Sequence, residues 1–495
     1  MLAALIGSAS SPLISVGGTF IDATPRWLKE FAIETFGEND KTVLLIGIGT
    51  GIALLAALLG VVSVKHRRVG VIGVLLLGVI PAIAAVSRPT GSLIDAVPAL
   101  VGATVGAVCL HQLIARLPQH GIDAADAQTN ETTSATESGL GRRSFLRASL
   151  AVATIAAVGG VLGRAVLNQR MDVEALRAAL RLPVPAETAT VLPDGFDLDT
   201  KGLTPFFTPN GDFYRVDTAL TVPAVNSDDW SLRIHGMVDN EVSFSFSELL
   251  ARPMVERDIT LTCVSNEVGG RLLGTARWLG VRVQDLLEEA GVATGADQVV
   301  SRSYDGMTIG TPTAALLDGR DALLAVGMNG EPLPLEHGFP VRMVVPGLYG
   351  YVSACKWIVD MEVTTFDAYD AYWVERGWER TAPIKVSSRI DTPKPLSKSS
   401  RGSIVVAGVA WAQQRGIKAV DVRVDGSDWT PAKLASSAGI DTWRQWTWDW
   451  DAQESGNHTL EVRATDGDGT VQTEERAEPF PSGSTGWHSV VVTVE

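Results

Sequence analysis

Cysteine is nearly absent from this chain, with three residues in 495. A disulfide framework is therefore excluded, and at most one bridge can form, between Cys263 and Cys355, because Cys109 lies in a long apolar run. Cys263 by itself cannot complete a zinc or iron–sulfur site, since it has no second cysteine or histidine near it in sequence. No Cys-x-x-Cys-His run occurs, so there is no site for covalent haem attachment, and His66 and His111 are poorly placed for a two-histidine haem. Positive charge is also scarce. With 41 Lys and Arg against 56 Asp and Glu the net charge is −15, and no basic stripe is available to neutralise nucleic-acid phosphates.

What is abundant is apolar sequence, and it is concentrated at one end. Residues 43–64, 69–87 and 97–115 contain no Asp, Glu, Lys or Arg, and each is about 20 residues long, enough to cross a bilayer core at ~1.5 Å rise per residue. A fourth span is expected over 148–167, with Arg164 near its end where a long side chain reaches the interface. Residues 1–20 are apolar but broken by Pro12 and several Ser and Gly. Lys65, His66, Arg67 and Arg68 fill one loop, and Arg142, Arg143 and Arg147 precede the fourth span. Both loops are expected on the cytoplasmic side. Alternation then puts residue 171 onward outside the cytoplasmic membrane, and the parity favours a fifth span at 1–20. The stretch GRRSFLR at 141–147 reads either as a plain basic anchor or as a twin-arginine export signal.

The boundaries follow from composition: membrane helices over 1–117, a Ser/Thr/Glu-rich cytoplasmic linker over 118–147, a helix over 148–167 and a connector over 168–200. From 201 to 392 short apolar runs such as RDITLTCV and KWIVDMEV alternate with short helical stretches, an α+β pattern. Within VRVQDLLEEAG at 281–291, Val283, Leu286 and Leu287 form one face. From 393 to 495 helix signals vanish. Period-two alternation with Asp-Gly turns predicts an antiparallel β-sandwich. Trp446, Trp448 and Trp450 share a parity and are expected in packing, and Asp466-Gly467-Asp468-Gly469 is expected to be a hairpin turn because it lacks the other ligands of a calcium loop.

The chemistry points to Cys263. It ends a predicted strand and is followed by Ser265, Asn266 and glycines at 269, 270, 274 and 280, a loop that lets backbone approach a bulky ligand. A lone thiolate serves a metal whose remaining ligands arrive with a cofactor; otherwise it is a buried apolar residue.

The pattern C-x-S-N-x-x-G-G-x-L-x-G-x-A-x-W-x-G-V from Cys263 to Val281 resembles the metal-ligand segment of the sulfite oxidase family of molybdenum enzymes. MNGEPLPLEHGFPVRMVVPGLYGYVSACKW at 328–357 is similar to a second segment of that family, and FFTPNGDFYRVDT at 206–218 to the one that reaches the pterin. The resemblance covers about 201–495 and implies a molybdenum–molybdopterin cofactor with Cys263 as the one protein ligand to the metal. It also implies an immunoglobulin-like C-terminal domain that forms a homodimer. The matched segments offer Asn210, Tyr214, Arg215, Asn266, His337, Arg342, Ser353 and Lys356 as cofactor contacts.

Where this sequence departs from the family, the substrate is affected. Glu267 and Val268 stand where sulfite oxidases have arginines, Pro209-Asn210 where the pterin-reaching segment has another, and Met307 where they have a tyrosine beside the metal. Tyr304, Tyr349 and Tyr351 remain as donors. A pocket that loses arginines and gains a glutamate binds an anion poorly, which argues against sulfite. The expected activity is oxygen-atom transfer on a small molecule or an S- or N-oxide, with electrons passed to or from a separate cytochrome or quinone. Two other readings stand beside it. In one, a membrane-anchored receptor keeps the scaffold, with Cys263 buried or bridged to Cys355. In the other, the helices transport, although their spans lack the ionisable residues that line ion paths.

Overall fold

The computed structural model describes residues 2–3, 10–25, 28, 31, 35–36, 40–88, 92–115, 147–154, 156–163 and 173–495. Of the linker expected over 118–147 only Arg147 is among them, and Arg164 lies outside them. The chain divides into two compact units, 1–172 and 173–495.

In the first unit the helices α1 (Pro12–Ala23), α2 (Asp40–Lys65), α3 (Arg67–Val86) and α4 (Val97–Ala115) are predominantly apolar. Proline sits in the first turn of α1, where its missing N–H costs nothing. Three helices, Lys41–Lys65, Arg67–Val86 and Leu93–Ala115, are long and apolar enough to cross a membrane. Arg147–Gly163 and Pro12–Ile21 are shorter apolar helices. Large side chains such as Ile46, Leu54 and Val61 are exposed on α2, a surface suited to lipid and not to water. Helices α3 and α4 approach closely at Gly78, where a Cβ would lie 2.2 Å from Ala103 Cβ. Small residues allow that contact in a lipid environment, where packing replaces the hydrophobic effect between helices.

The second unit carries one mixed sheet and one antiparallel sheet before the sandwich. Its strands are β1 (Ser231–Gly236), β2 (Val242–Ser245), β3 (Val255–Thr262), β4 (Leu273–Arg282), β5 (Gln298–Ser303), β6 (Thr308–Pro312), β7 (Leu323–Met328), β8 (Glu331–Pro332), β9 (Arg342–Val344) and β10 (Ile358–Thr364). One sheet has the order β2-β1-β10-β5-β6, with β1 and β10 parallel, and the other the order β3-β4-β7-β8, with β9 on β7. The predicted helix forms over Val283–Ala290. It buries Val283, Leu286, Leu287 and Ala290 in the core shared by both sheets and ends at Gly291, whose φ of 72° suits a residue without Cβ. Strands buried on both faces, such as β7, read as continuous apolar runs, and that is how they appear in the sequence.

The remaining strands, β11 (Ser387–Thr392), β12 (Lys398–Ser399), β13 (Gly402–Trp411), β14 (Ile417–Val424), β15 (Thr430–Pro431), β16 (Lys433–Leu434), β17 (Arg444–Ala452), β18 (Gly456–Asp466) and β19 (His488–Val494), make a two-sheet sandwich. The sheets have orders β11-β13-β17-β16 and β12-β19-β18-β14-β15. Alternate residues face inward, so Val406, Trp446, Trp450, Val462 and Val492 fill one core. Trp448 packs at its edge, and Asp466–Gly469 is a turn closed by Gly469 N donating to Asp466 O at 3.1 Å. The strands are antiparallel except for the short β12, which runs parallel to β19.

Candidate active site

Three chain segments meet at one cavity because of how the strands end. Strand β3 stops at Thr262 and leaves Cys263 at the mouth of the β3–β4 connection, held by Cys263 N donating to Leu272 O at 2.9 Å. The connection from β8 to β9 brings His337, β9 begins with Arg342, and the connection from β9 to β10 brings Lys356. The irregular segment 206–218 supplies Phe213 and Tyr214, their rings stacked at 5.3 Å. The cavity these residues enclose, of about 110 Å³, is lined by Tyr214, Cys263, His337, Arg342 and Lys356 among the residues expected from sequence.

Its electrostatics follow from burial. The Arg342 guanidinium is 5% exposed, sits 5.0 Å over the Trp278 ring and donates from Nη1 to His337 O at 3.1 Å. Burial lowers its pKa to about 10, which leaves it charged at neutral pH. Burial, with Arg342 adding to it, lowers His337 to about 4, so this imidazole is neutral and its Nε2 lies 3.0 Å from Asn210 O. Lys356 is pulled down to about 8 by burial, against the opposing pull of Asp217, its partner at 2.9 Å. Burial raises the Cys263 thiol, while hydrogen bonds from Ser265 act the other way. Burial also raises Tyr214.

Four expected contacts are placed elsewhere. Arg215 bonds Asp217 at 2.8 Å with much of its side chain in solvent. Asn210 donates from Nδ2 to Met328 O at 3.3 Å and accepts from Asn329 at 2.8 Å. Asn266 closes the cysteine loop, its Oδ1 accepting from Leu272 N at 2.8 Å. Ser353 is buried and donates to Leu348 O and Tyr349 O. Each serves backbone or a neighbouring side chain and does not line the cavity. Glu267 and Val268 face a second, smaller cavity bordered by Tyr349 and the sandwich residue Trp411. Met307 does line the main one.

Sequence reasoning missed Asp217, Cys355, Trp373 and Trp378 as lining residues. Asp217 stands inside the quoted 206–218 segment, whereas Trp373 and Trp378 belong to no motif. Tyr351, Trp373, Trp378 and Phe480 form a chain of aromatic contacts, with successive centroids 5.6 Å apart for Tyr351–Trp378, 6.3 Å for Trp373–Trp378 and 5.3 Å for Trp378–Phe480. The three cysteines are free, so the Cys263–Cys355 bridge of the receptor reading does not form although both thiols line the same cavity.

The residues present fit a phosphorylated pterin that brings its own metal. Among the described residues Arg342 has no carboxylate partner, and its buried Nε has no hydrogen bond. A buried cation is stable only against an anion, which a phosphate supplies. Glycine at 338, with φ 110° and a would-be Cβ 3.0 Å from Arg342 Cβ and 3.1 Å from Lys356 Cβ, keeps the two cations close to one another.

Comparison with known proteins agrees with this geometry. Residues 219–373 match the oxidoreductase molybdopterin binding domain, and residues 387–462 match a bacterial Ig domain. The sulfite oxidase of Gallus gallus is 31% identical over 338 residues, covering 57% of this chain and 72% of that one. The mitochondrial sulfite oxidase of Homo sapiens is 31% identical over 272 residues, 46% of this chain, and the match spans 49% of its length. An uncharacterized oxidoreductase of Bacillus subtilis, YuiH, is 36% identical over 149 residues, covering 30% of this chain and 72% of its own. Among solved structures the sulfane dehydrogenase SoxCD from Paracoccus pantotrophus has the same fold, with a TM-score of 0.52 and 23% identity over 59% of this chain and 84% of that one. A cysteine-headed cavity backed by buried cations, carried on this fold and matched at this identity, makes the chain a molybdopterin-dependent oxidoreductase of the sulfite oxidase family.

Proposed function

We propose that this protein transfers an oxygen atom to or from an organic S- or N-oxide couple outside the cytoplasmic membrane, with its apolar helices as anchor. The observation that carries the reading is the cavity lined by Cys263 together with Arg342, His337 and Lys356. Cys263 is the one protein ligand to molybdenum. Arg342 and Lys356 hold the pterin phosphate, with neutral His337 orienting the pterin through a hydrogen bond. When bound, the molybdenum–pterin group supplies the two-electron oxygen-atom transfer. The chain's own part is to bind, orient and desolvate: Phe213, Ile309, Tyr351, Trp373 and Trp378 keep the cavity apolar.

That lining also supports an organic substrate over sulfite. The lining residues with positive charge, Arg342 and Lys356, are engaged by the pterin phosphate and by Asp217, and Met307 and Ile309 add no charge. An inorganic dianion would meet no unengaged cation there, whereas an alkyl or aryl substituent would meet aromatic faces. Electrons pass to or from a separate cytochrome or quinone, since the sequence has no Cys-x-x-Cys-His site. The sandwich carries the homodimer contact.

Molybdenum and pterin content of the full chain, produced in a host that makes the cofactor, tests the reading. About one molybdenum per chain, lost in Cys263→Ser while the protein stays folded, is the expected result. Equal molybdenum in both forms removes Cys263 as ligand, and none in the folded wild type returns the chain to a receptor role. Turnover with aryl sulfoxides but not with sulfite is expected of the loaded enzyme.

A further inference from the structure

The sandwich does more than follow the catalytic domain in sequence, because it reaches back to the loop that begins at Cys263. Arg389, in β11 and 7% exposed, donates from Nη1 to Gly270 O at 2.7 Å while its Nε bonds Asp391 at 2.6 Å and its Nη2 bonds Thr204 at 3.0 Å. Ser484 Oγ donates to Asn266 O at 2.7 Å. At Gly269, with φ 80°, a Cβ would lie 2.3 Å from the His488 ring, and that ring is itself fixed by Ile390 N donating to its Nδ1 at 2.9 Å. The strand before the loop is held as well: Gln413 Nε2 donates to Thr260 O at 2.9 Å and Trp443 N to Thr260 Oγ1 at 2.8 Å.

These contacts converge on the backbone of residues 260–270, the segment that sets where Cys263 Sγ points. Inside the loop, Asn266 N donates to Cys263 O at 3.1 Å, so a displacement of Asn266 is carried directly to Cys263, and Gly270 N donates to Glu267 O at 2.8 Å, which ties Gly270 to the residue next to Asn266. A site with one protein ligand has no second ligand to correct a misplaced sulfur, and outer contacts then decide the geometry.

We infer that the C-terminal sandwich positions the cysteine ligand, with Arg389 and Ser484 as positioning residues that fix the Cys263 loop from outside the catalytic domain. The inference rests on the reading above for the role of Cys263; its test does not. The full chain in detergent is treated with iodoacetamide under native conditions, and labelling of Cys263 is followed relative to Cys355 by peptide mass spectrometry. Both thiols line one cavity, so general loosening raises both, whereas release of the loop raises Cys263 alone.

The variants are Ser484→Ala and Arg389→Lys. The control is Arg463→Ala, which breaks a sandwich ion pair with Asp421, 3.1 Å, on strands that do not carry the loop contacts. The Cys263-to-Cys355 labelling ratio is expected to rise about fivefold in each variant, the population shift that loss of one net hydrogen bond gives, and to stay at the wild-type value in the control. A ratio unchanged in both variants, or raised equally in the control, overturns the inference. Should Arg389→Lys fail to fold, Ser484→Ala decides alone. The ratio is read on the full chain produced without molybdate, where no metal competes with the reagent for Cys263, so absence of the metal from the loaded preparation defeats the functional reading and leaves this measurement standing.

Discussion

Lys356 and Asp217 form a buried ion pair in the cavity wall, Nζ 2.9 Å from Oδ2, with 9% and 3% of the two side chains exposed. Lys356 Nζ also donates to Glu336 O at 3.2 Å and lies 4.6 Å over the Trp357 ring, so the ammonium is fully directed. Removing the carboxylate in Asp217→Asn leaves a desolvated cation, a change that costs about 3 kcal/mol. A lower melting temperature of the full chain, together with reduced pterin content, is the expected outcome. An unchanged melting temperature would show that solvent reaches Lys356.

Trp378→Ala opens the aromatic wall without touching a cation. For a substrate with an aryl substituent, KM is expected to rise about tenfold, the upper range of one aromatic contact, with little change in kcat. For a dimethyl homologue the rise should be much smaller. Equal effects on both substrates would show that the wall does not face the substrate.

His458 gives the sandwich a pH dependence of known sign. Its Nδ1 lies 2.7 Å from Asp425 Oδ2, and that hydrogen bond holds the imidazole above its ordinary pKa. A raised folded-state pKa adds stability that is complete below about pH 6.5, the unfolded value, and is lost as pH rises through the folded one. Asp425→Asn should therefore melt lower than wild type in mildly acidic buffer and approach it in alkaline buffer. A gap that widens with pH would contradict the assignment.

Gly408 tests how tightly β11 and β13 are joined. A Cβ there would fall 1.8 Å from Arg389 O and 2.9 Å from the Trp446 ring. Because the nearest atom is backbone, the strands must part, and Gly408→Ala is expected to cost about 3 kcal/mol or more. Differential scanning fluorimetry reads this directly. A neutral result would mean that the sheet edge yields.

Much of this arrangement was legible in the residues. Tyr214, Cys263, His337, Arg342 and Lys356, named from the segments that resemble the sulfite oxidase family, all line the cavity. Trp446 and Trp450 were assigned to packing from their parity alone. Asn210, Asn266 and Ser353 stood in the same motifs, yet their side chains are taken up by backbone groups and, at Asn210, by Asn329. A motif marks a position, and what that position serves depends on the fold. Trp373 and Trp378 were invisible because their place in the wall comes from packing against Tyr351 and Phe480, contacts that no local pattern encodes. The parallel pairing of β1 with β10 was hidden for the same reason, since it joins Arg233 to Asp360, residues far apart in sequence.

That pairing, taken with the contacts of β11 and β19, sets an order for synthesis. While the ribosome is still adding residues before 358, the first sheet has no neighbour for the free edge of β1. The Cys263 loop waits longer, because Arg389 and then His488 must leave the exit tunnel before its outer face is covered. Until that late moment its backbone groups stand open to solvent, and a nascent chain halted short of residue 488 would hold every cation of the cavity but a cysteine loop without its seat.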